Sequence, residues 1–158
     1  QKGFDVLVEA VNQTPSLALD IIGEGADRDL LQRAVLSDRI RLLGWSADLR
    51  PHLAQAHMVA VPSRWEGFGL VAVESLASGR PVVASRVDGL LEAVGEAGVL
   101  VPPEDPAALA TALVDLAAQP ARRAHLVEQG LQHVQQFSVR RMVGRYEQLY
   151  REMLSSAS

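Results

Sequence analysis

Apolar positions in this chain fall into short continuous runs, separated by longer stretches where they recur every three or four residues. The short runs, bounded by glycine or proline, read as buried strands; the three-to-four spacing reads as helices with one face toward a core. Phe4 to Gln13 places Phe4, Leu7, Val8 and Val11 on one face and predicts a helix. Leu17 to Ile22 predicts a strand ended by Gly23 and Gly25, Ala26 to Leu36 a helix, and Arg39 to Leu43 a strand closed by Gly44. Asp48 to Ala56 predicts a helix with proline in its first turn, where a missing N–H is tolerated. His57 to Val61 predicts a buried strand, and Pro62 to Gly67 a loop.

From Gly69 to Ser78 the spacing of Leu70, Val73, Leu76 and Ala77 predicts a helix, stopped by Gly79 with Pro81 just beyond. Pro81 to Ser85 predicts a strand, Val87 to Val94 a short helix and Gly98 to Val101 a last strand. Asp105 and Pro106 cap a helix to about Ala118, and two more helices are expected over Pro120 to Gln136 and Ser138 to Leu154. In the last of these, Met142, Tyr146, Leu149 and Met153 form a stripe read as core. The alternation argues for an α/β domain, a parallel sheet with helices on both faces. Ligands of such sheets bind beyond the carboxyl ends of the strands, where the loop holding Glu66 lies.

The segment Glu66-Gly67-Phe68-Gly69-Leu70-Val71-Ala72-Val73-Glu74 carries the candidate chemistry. Glu74 follows Leu70 by four residues, which places it on or beside the expected apolar face. An ionised carboxylate there is costly unless something hydrogen-bonds to it. A helix start exposes unpaired amides and partial positive charge, and glycines let a ligand approach the backbone. That suits a phosphate, while carboxylates suit adjacent hydroxyls. A sugar and a ribose flanking a diphosphate would satisfy both.

Composition narrows the field. One domain is expected from 158 residues, and a net charge of −4 with scattered basic residues gives no footprint for nucleic acid. No apolar stretch reaches the length of a membrane helix, and no signal-peptide pattern is present. The absence of cysteine excludes disulfides and thiolate chemistry and suits a cytoplasmic enzyme. A start at Gln1 with a glycine turn directly after it reads as a piece of something longer. Asp27-Arg28-Asp29 has the form of a metal-binding Asp-x-Asp, but acidic residues in a first helical turn answer the helix dipole. Gly23-Glu24-Gly25 follows a strand, yet Arg28 stands where a dinucleotide fingerprint needs glycine or alanine. His52, His57, His125 and His133 show no ligand spacing, and the expected role is surface or packing.

Lys2-Gly3-Phe4-Asp5, Gly23-Glu24-Gly25, Pro62 through Leu70, Glu74 and Gly79 through Ala84 stand in an order and spacing that resemble the C-terminal half of a family 4 (group 1) retaining glycosyltransferase. The resemblance covers nearly the whole chain and implies one Rossmann-like half of the two-domain GT-B architecture. Residues 1–158 would form the domain that binds a nucleotide-diphosphate sugar donor. Glu66 would contact hydroxyls of the donor sugar, and Lys2 would neutralise the diphosphate leaving group. Gly67, Phe68, Gly69 and Leu70 would line the donor, the last three through backbone amides. Glu74 would bind the ribose, and Leu43 and Gly44 would pass the nucleobase. Family members usually work without a metal or other cofactor.

Two departures matter. The family's first strand and its Gly-Arg turn are not in this chain, so the sheet is expected to lack that strand. The acceptor-binding N-terminal domain is absent too, so the isolated chain is expected not to transfer sugar. The resemblance places the whole enzyme in the cytoplasm, with attachment to the inner membrane face through the absent domain as an option. Other classes compete: a glycoside hydrolase pairing Glu66 with Glu74, or a non-catalytic nucleotide-binding module.

Overall fold

The computed structural model describes residues 1–156 and contains, among them, five strands and eight α-helices. The elements are α1 (Phe4–Asn12), β1 (Leu19–Ile22), α2 (Arg28–Ala34), β2 (Ile40–Gly44), α3 (Arg50–Gln55) and β3 (Val59–Val61). Then follow α4 (Leu70–Ala77), β4 (Val82–Ser85), α5 (Asp88–Val94), β5 (Val99–Val101), α6 (Pro106–Ala118), α7 (Pro120–His133) and α8 (Val139–Ser156). The type of every predicted element holds, with ends shifted by at most three residues. The predicted stop signals also hold: Gly79 takes the left-handed conformation (φ 68°) after α4, and the Asp105 side chain accepts from the Ala108 amide at 2.9 Å to cap α6.

All strand pairs are parallel, as expected of alternating strands and helices. One continuous sheet is not what forms. β1 pairs with β2, and β3, β4 and β5 form a second sheet, with no ladder among the described residues joining β1 to β3. Continuity comes instead from shared packing. Val83 of β4 and Val101 of β5 join α1, α6, Ile21 and Ile40 in one core. Val82 and Ala84, pointing the other way along β4, join α4 and α5 in a second core. Alternation along one central strand thus feeds helices on both faces, which is the layer order the sequence predicts.

The helix that carries Glu74 is turned differently from expectation. Its buried residues are Ala72, Ser75 and Leu76, while Leu70 is 65% exposed and Ala77 and Glu74 lie on the exposed side. A small hydroxyl residue faces the core because Ser75 Oγ donates to the Val71 carbonyl within its own helix. Of the predicted stripe, Leu76 is buried and Val73 packs against the second core, while Leu70 and Ala77 face out, and Glu74 needs no buried partner. The α8 stripe is likewise not core: Met142, Tyr146, Leu149 and Met153 are all exposed. A groove of about 500 Å³ runs between this stripe and Phe68 and Leu70.

Candidate functional site

The loop after β3 is held from three sides by glycines that approach it closely. Gly3 starts α1 in the left-handed conformation (φ 68°), and a Cβ there would stand 2.0 Å from the Pro62 carbonyl oxygen. Gly89 in α5 lies under the turn, where a Cβ would stand 2.3 Å from the Glu66 carbonyl oxygen. Gly69, with φ 85°, caps α4 and lies against Leu90. The Arg64 amide donates to the Gln1 carbonyl at 2.9 Å, tying the chain start to the same loop.

These contacts bring Lys2 to Glu66, 64 positions away in sequence. Lys2 Nζ donates to Glu66 Oε2 at 2.7 Å, and Ser63 Oγ donates to the same oxygen at 3.2 Å. The Glu66 side chain is 17% exposed and Lys2 stands in solvent, so the pair forms a charged rim above a buried serine. Ser63 and Gly89 were not singled out from the sequence. A serine three positions before a glutamate, inside the block Pro62–Leu70, was the available signal for the first; for Gly89, nothing local distinguished it.

Behind this rim, Arg64 holds Asp5 with two hydrogen bonds of 2.9 and 2.7 Å and Glu104 with one of 2.9 Å. The hydrogen bonds from Arg64 hold the Asp5 carboxyl below its ordinary range, and both acids raise the guanidinium. The clamp fixes the first turn of α1 to the loop, and so sets where Lys2 can reach.

At the start of α4 no side chain caps the helix, so its leading amides keep their hydrogen-bonding capacity. Gly67, Phe68, Gly69 and Leu70 form this entry, beside Glu66. Glu74 is the fifth residue of α4, roughly 6 Å further along the axis at 1.5 Å per residue, and faces solvent. Leu43 and Gly44 lie elsewhere, at the carboxyl end of β2. There Gly44 (φ 78°) sits under the Glu24 carboxylate, and Arg28 donates to Glu24 at 3.3 Å and to the Leu42 carbonyl at 3.2 Å. Among the described residues, no hydrogen bond or ion pair connects this corner with the Glu66 turn, and none engages the Glu74 carboxylate. The structure therefore joins Lys2, Glu66 and the glycine turn, and leaves Glu74 and Leu43 as separate exposed positions and Gly44 buried at the end of β2.

A parallel α/β domain with an uncapped helix and an acid–base rim at its strand ends is a ligand-binding frame, and comparison with known proteins identifies it. The chain belongs to the family "Glycosyl transferases group 1", whose model matches residues 1–119. It is 36% identical over 156 residues to the lipopolysaccharide core biosynthesis glycosyltransferase LpsE of Rhizobium meliloti, covering 94% of this chain and 46% of that protein. It is 37% identical over 175 residues to a D-inositol 3-phosphate glycosyltransferase of Salinispora tropica, covering 98% of this chain and 36% of that one.

Among solved structures, sucrose-phosphate synthase from Thermosynechococcus elongatus matches with a TM-score of 0.84 and 35% identity, over 98% of this chain and 43% of that one. HepE of Anabaena, solved in complex with UDP, matches with a TM-score of 0.80 and 28% identity, over 98% and 45%. The chain spans less than half the length of each of these proteins. Among the described residues, no helix is long and apolar enough to cross a membrane.

Proposed function

We propose that this chain is the donor-binding domain of a retaining, family 4 glycosyltransferase of GT-B architecture, and that its ligand is a nucleotide-diphosphate sugar. The observation that carries this reading is the Lys2–Glu66 pair of 2.7 Å at the mouth of the uncapped helix α4. It sets a cation, a carboxylate and free helix amides side by side. Lys2 meets the diphosphate, whose developing charge on departure is met by that ammonium and by the amides of Phe68, Gly69 and Leu70. Glu66 accepts from hydroxyls of the sugar, which positions the anomeric carbon without needing a bound metal.

Glu74 accepts from the ribose hydroxyls, and its exposed place on α4 leaves both oxygens available to them. Leu43 and Gly44 flank the base. A second, acceptor-binding domain completes the cleft, so the chain alone binds donor without transferring sugar. The HepE complexes with UDP, and with UDP and glucose, support the ligand class. The glycoside hydrolase reading gains nothing from the contacts of Glu66, which are an ammonium and a hydroxyl rather than a second carboxylate.

Calorimetric titration with UDP, GDP and ADP, then with their sugar nucleotides, tests the reading. One nucleoside diphosphate binds, and Glu74→Ala weakens it by about 1–3 kcal/mol, the scale for losing hydrogen bonds to a charged acceptor. Absence of heat at millimolar concentration of all three removes the donor site. Unchanged affinity in Glu74→Ala removes that residue from the ribose role.

A further inference from the structure

Three rings form a line that neither hydrophobic core includes. Phe68, in the glycine turn, packs against Phe137 with centroids 5.1 Å apart at 81°. Phe137 packs edge-on against His133, with centroids 5.4 Å apart at 74°. His133 ends α7, and Phe137 ends the 3-10 turn Val134–Phe137 that follows. All three side chains are half-buried, so the line is a lateral connection and not part of the packed interior.

His133 also grips the far end of α5. Its Nε2 lies 3.2 Å from the Ala93 carbonyl and 3.3 Å from the Glu92 carbonyl. The Gln136 amide nitrogen lies 3.0 Å from Nδ1, and donating there leaves Nε2 as the N–H that meets those carbonyls. Gly95, with φ 52°, makes room: a Cβ there would stand 2.9 Å from the imidazole Cε1. The other end of α5 is Gly89, directly beneath the Glu66 and Gly67 backbone, and its Leu90 and Ala93 lie against Gly69.

We infer that His133 is a positioning residue for the glycine turn, acting on Phe68 through Phe137 and on Glu66, Gly67 and Gly69 through α5. Two routes from one imidazole converge on Glu66, Phe68 and Gly69, three of the four residues whose carboxylate and amides receive the donor, an assignment that rests on the function proposed above. A side chain in the C-terminal helical segment thereby sets the geometry of a phosphate-binding turn more than 60 positions earlier in sequence.

Amide resonances of the free chain and nucleoside diphosphate titrations together test this. In His133→Ala and in Phe137→Leu, the Gly67, Phe68, Gly69 and Leu70 amides shift and broaden while those of α6 keep their positions. Affinity falls about fivefold, the scale of one lost edge-to-face pair. Phe137→Tyr, which keeps the ring, restores both readouts to within about twofold of the parent. His133→Gln keeps a donor for the α5 carbonyls without the ring, and its turn amides shift less than those of His133→Ala. Turn amides unchanged in both disruptive variants overturn the inference, as does failure of Phe137→Tyr to restore them. If the parent chain binds no nucleoside diphosphate, the proposed function fails, and the amide shifts alone decide the positioning role.

Discussion

The two ladders of this molecule are built by different means. In the half containing β3, β4 and β5, β4 is buried along its whole length, and Gly3, Gly69 and Gly89 each lie where a Cβ would collide at 2.0–2.7 Å. At Gly3 and Gly89 the obstacle is backbone. In the half containing β1 and β2, no strand is buried along its whole length, and Gly23 and Gly25 face open space. There the atom nearest a Cβ on Gly44 is the tip of the Glu24 side chain, which can swing away. One half is set by close packing that has no slack; the other by polar contacts that can rearrange. If the glycine turn receives a diphosphate as proposed, it needs the first kind of support, because its amides must already point at the charge. A corner such as Leu43–Gly44 can adapt to what is placed there.

Matched glycine substitutions put the contrast to its hardest test. Gly89→Ala is expected to destabilise the chain by about 1–3 kcal/mol, the cost of overpacking, and to abolish nucleotide binding. Gly25→Ala is expected to stay within about 0.5 kcal/mol of the parent. Equal effects in urea unfolding would erase the difference between the halves.

A smaller effect is expected at the Arg64 clamp, which borders the packed half. Asp5→Asn should lower Tm by about 2–4 °C at neutral pH, the upper range for an ion pair open to solvent. Because Arg64 holds the Asp5 carboxyl below its ordinary value, the folded chain binds that proton more weakly than the unfolded chain does. The stabilisation is present above about pH 4 and lost as pH falls through the lower folded value. The Tm gap between parent and Asp5→Asn should close over that acidic range; a constant gap would assign the effect to packing.

The smallest effect belongs to the open half. Arg41 meets Asp20 across β1 and β2 through two bonds of 2.7 Å, both side chains in solvent. Asp20→Asn should shift Tm by less than about 1 °C, since exposed pairs contribute little. A shift as large as that of Asp5→Asn would show that surface polar contacts carry this half more firmly than its burial suggests.

The sequence made the element order legible because strand runs and helix spacing are local signals, and Gly79 and Asp105 marked helix ends by their own chemistry. It also grouped Glu66 with the glycine turn from that segment's own residues, and Lys2 with them through family resemblance. The edges of the buried face of α4 were not legible. Ser75 takes a core place by bonding to its own helix, while Leu70, though apolar, faces out. The α8 stripe, read as core with part of it expected to lie open where the family's last helix crosses to its other domain, is exposed at all four positions: the spacing shows that a helix has an apolar face and does not show what covers it. The break between β1 and β3 and the role of Gly89 depend on contacts between distant segments, which no window along the chain contains.

Lys2 and Glu66 serve as counter-ions for one another. On the function proposed above, an arriving diphosphate would compete with a carboxylate already held at 2.7 Å, and the sugar hydroxyls would compete with the ammonium. Occupancy would then be an exchange of partners, in which dissolved ions screen the bond being broken as well as the bond being made. A site arranged this way would lose less affinity to added salt than a lone cation would, and the ammonium would keep the carboxylate neutralised between one ligand and the next.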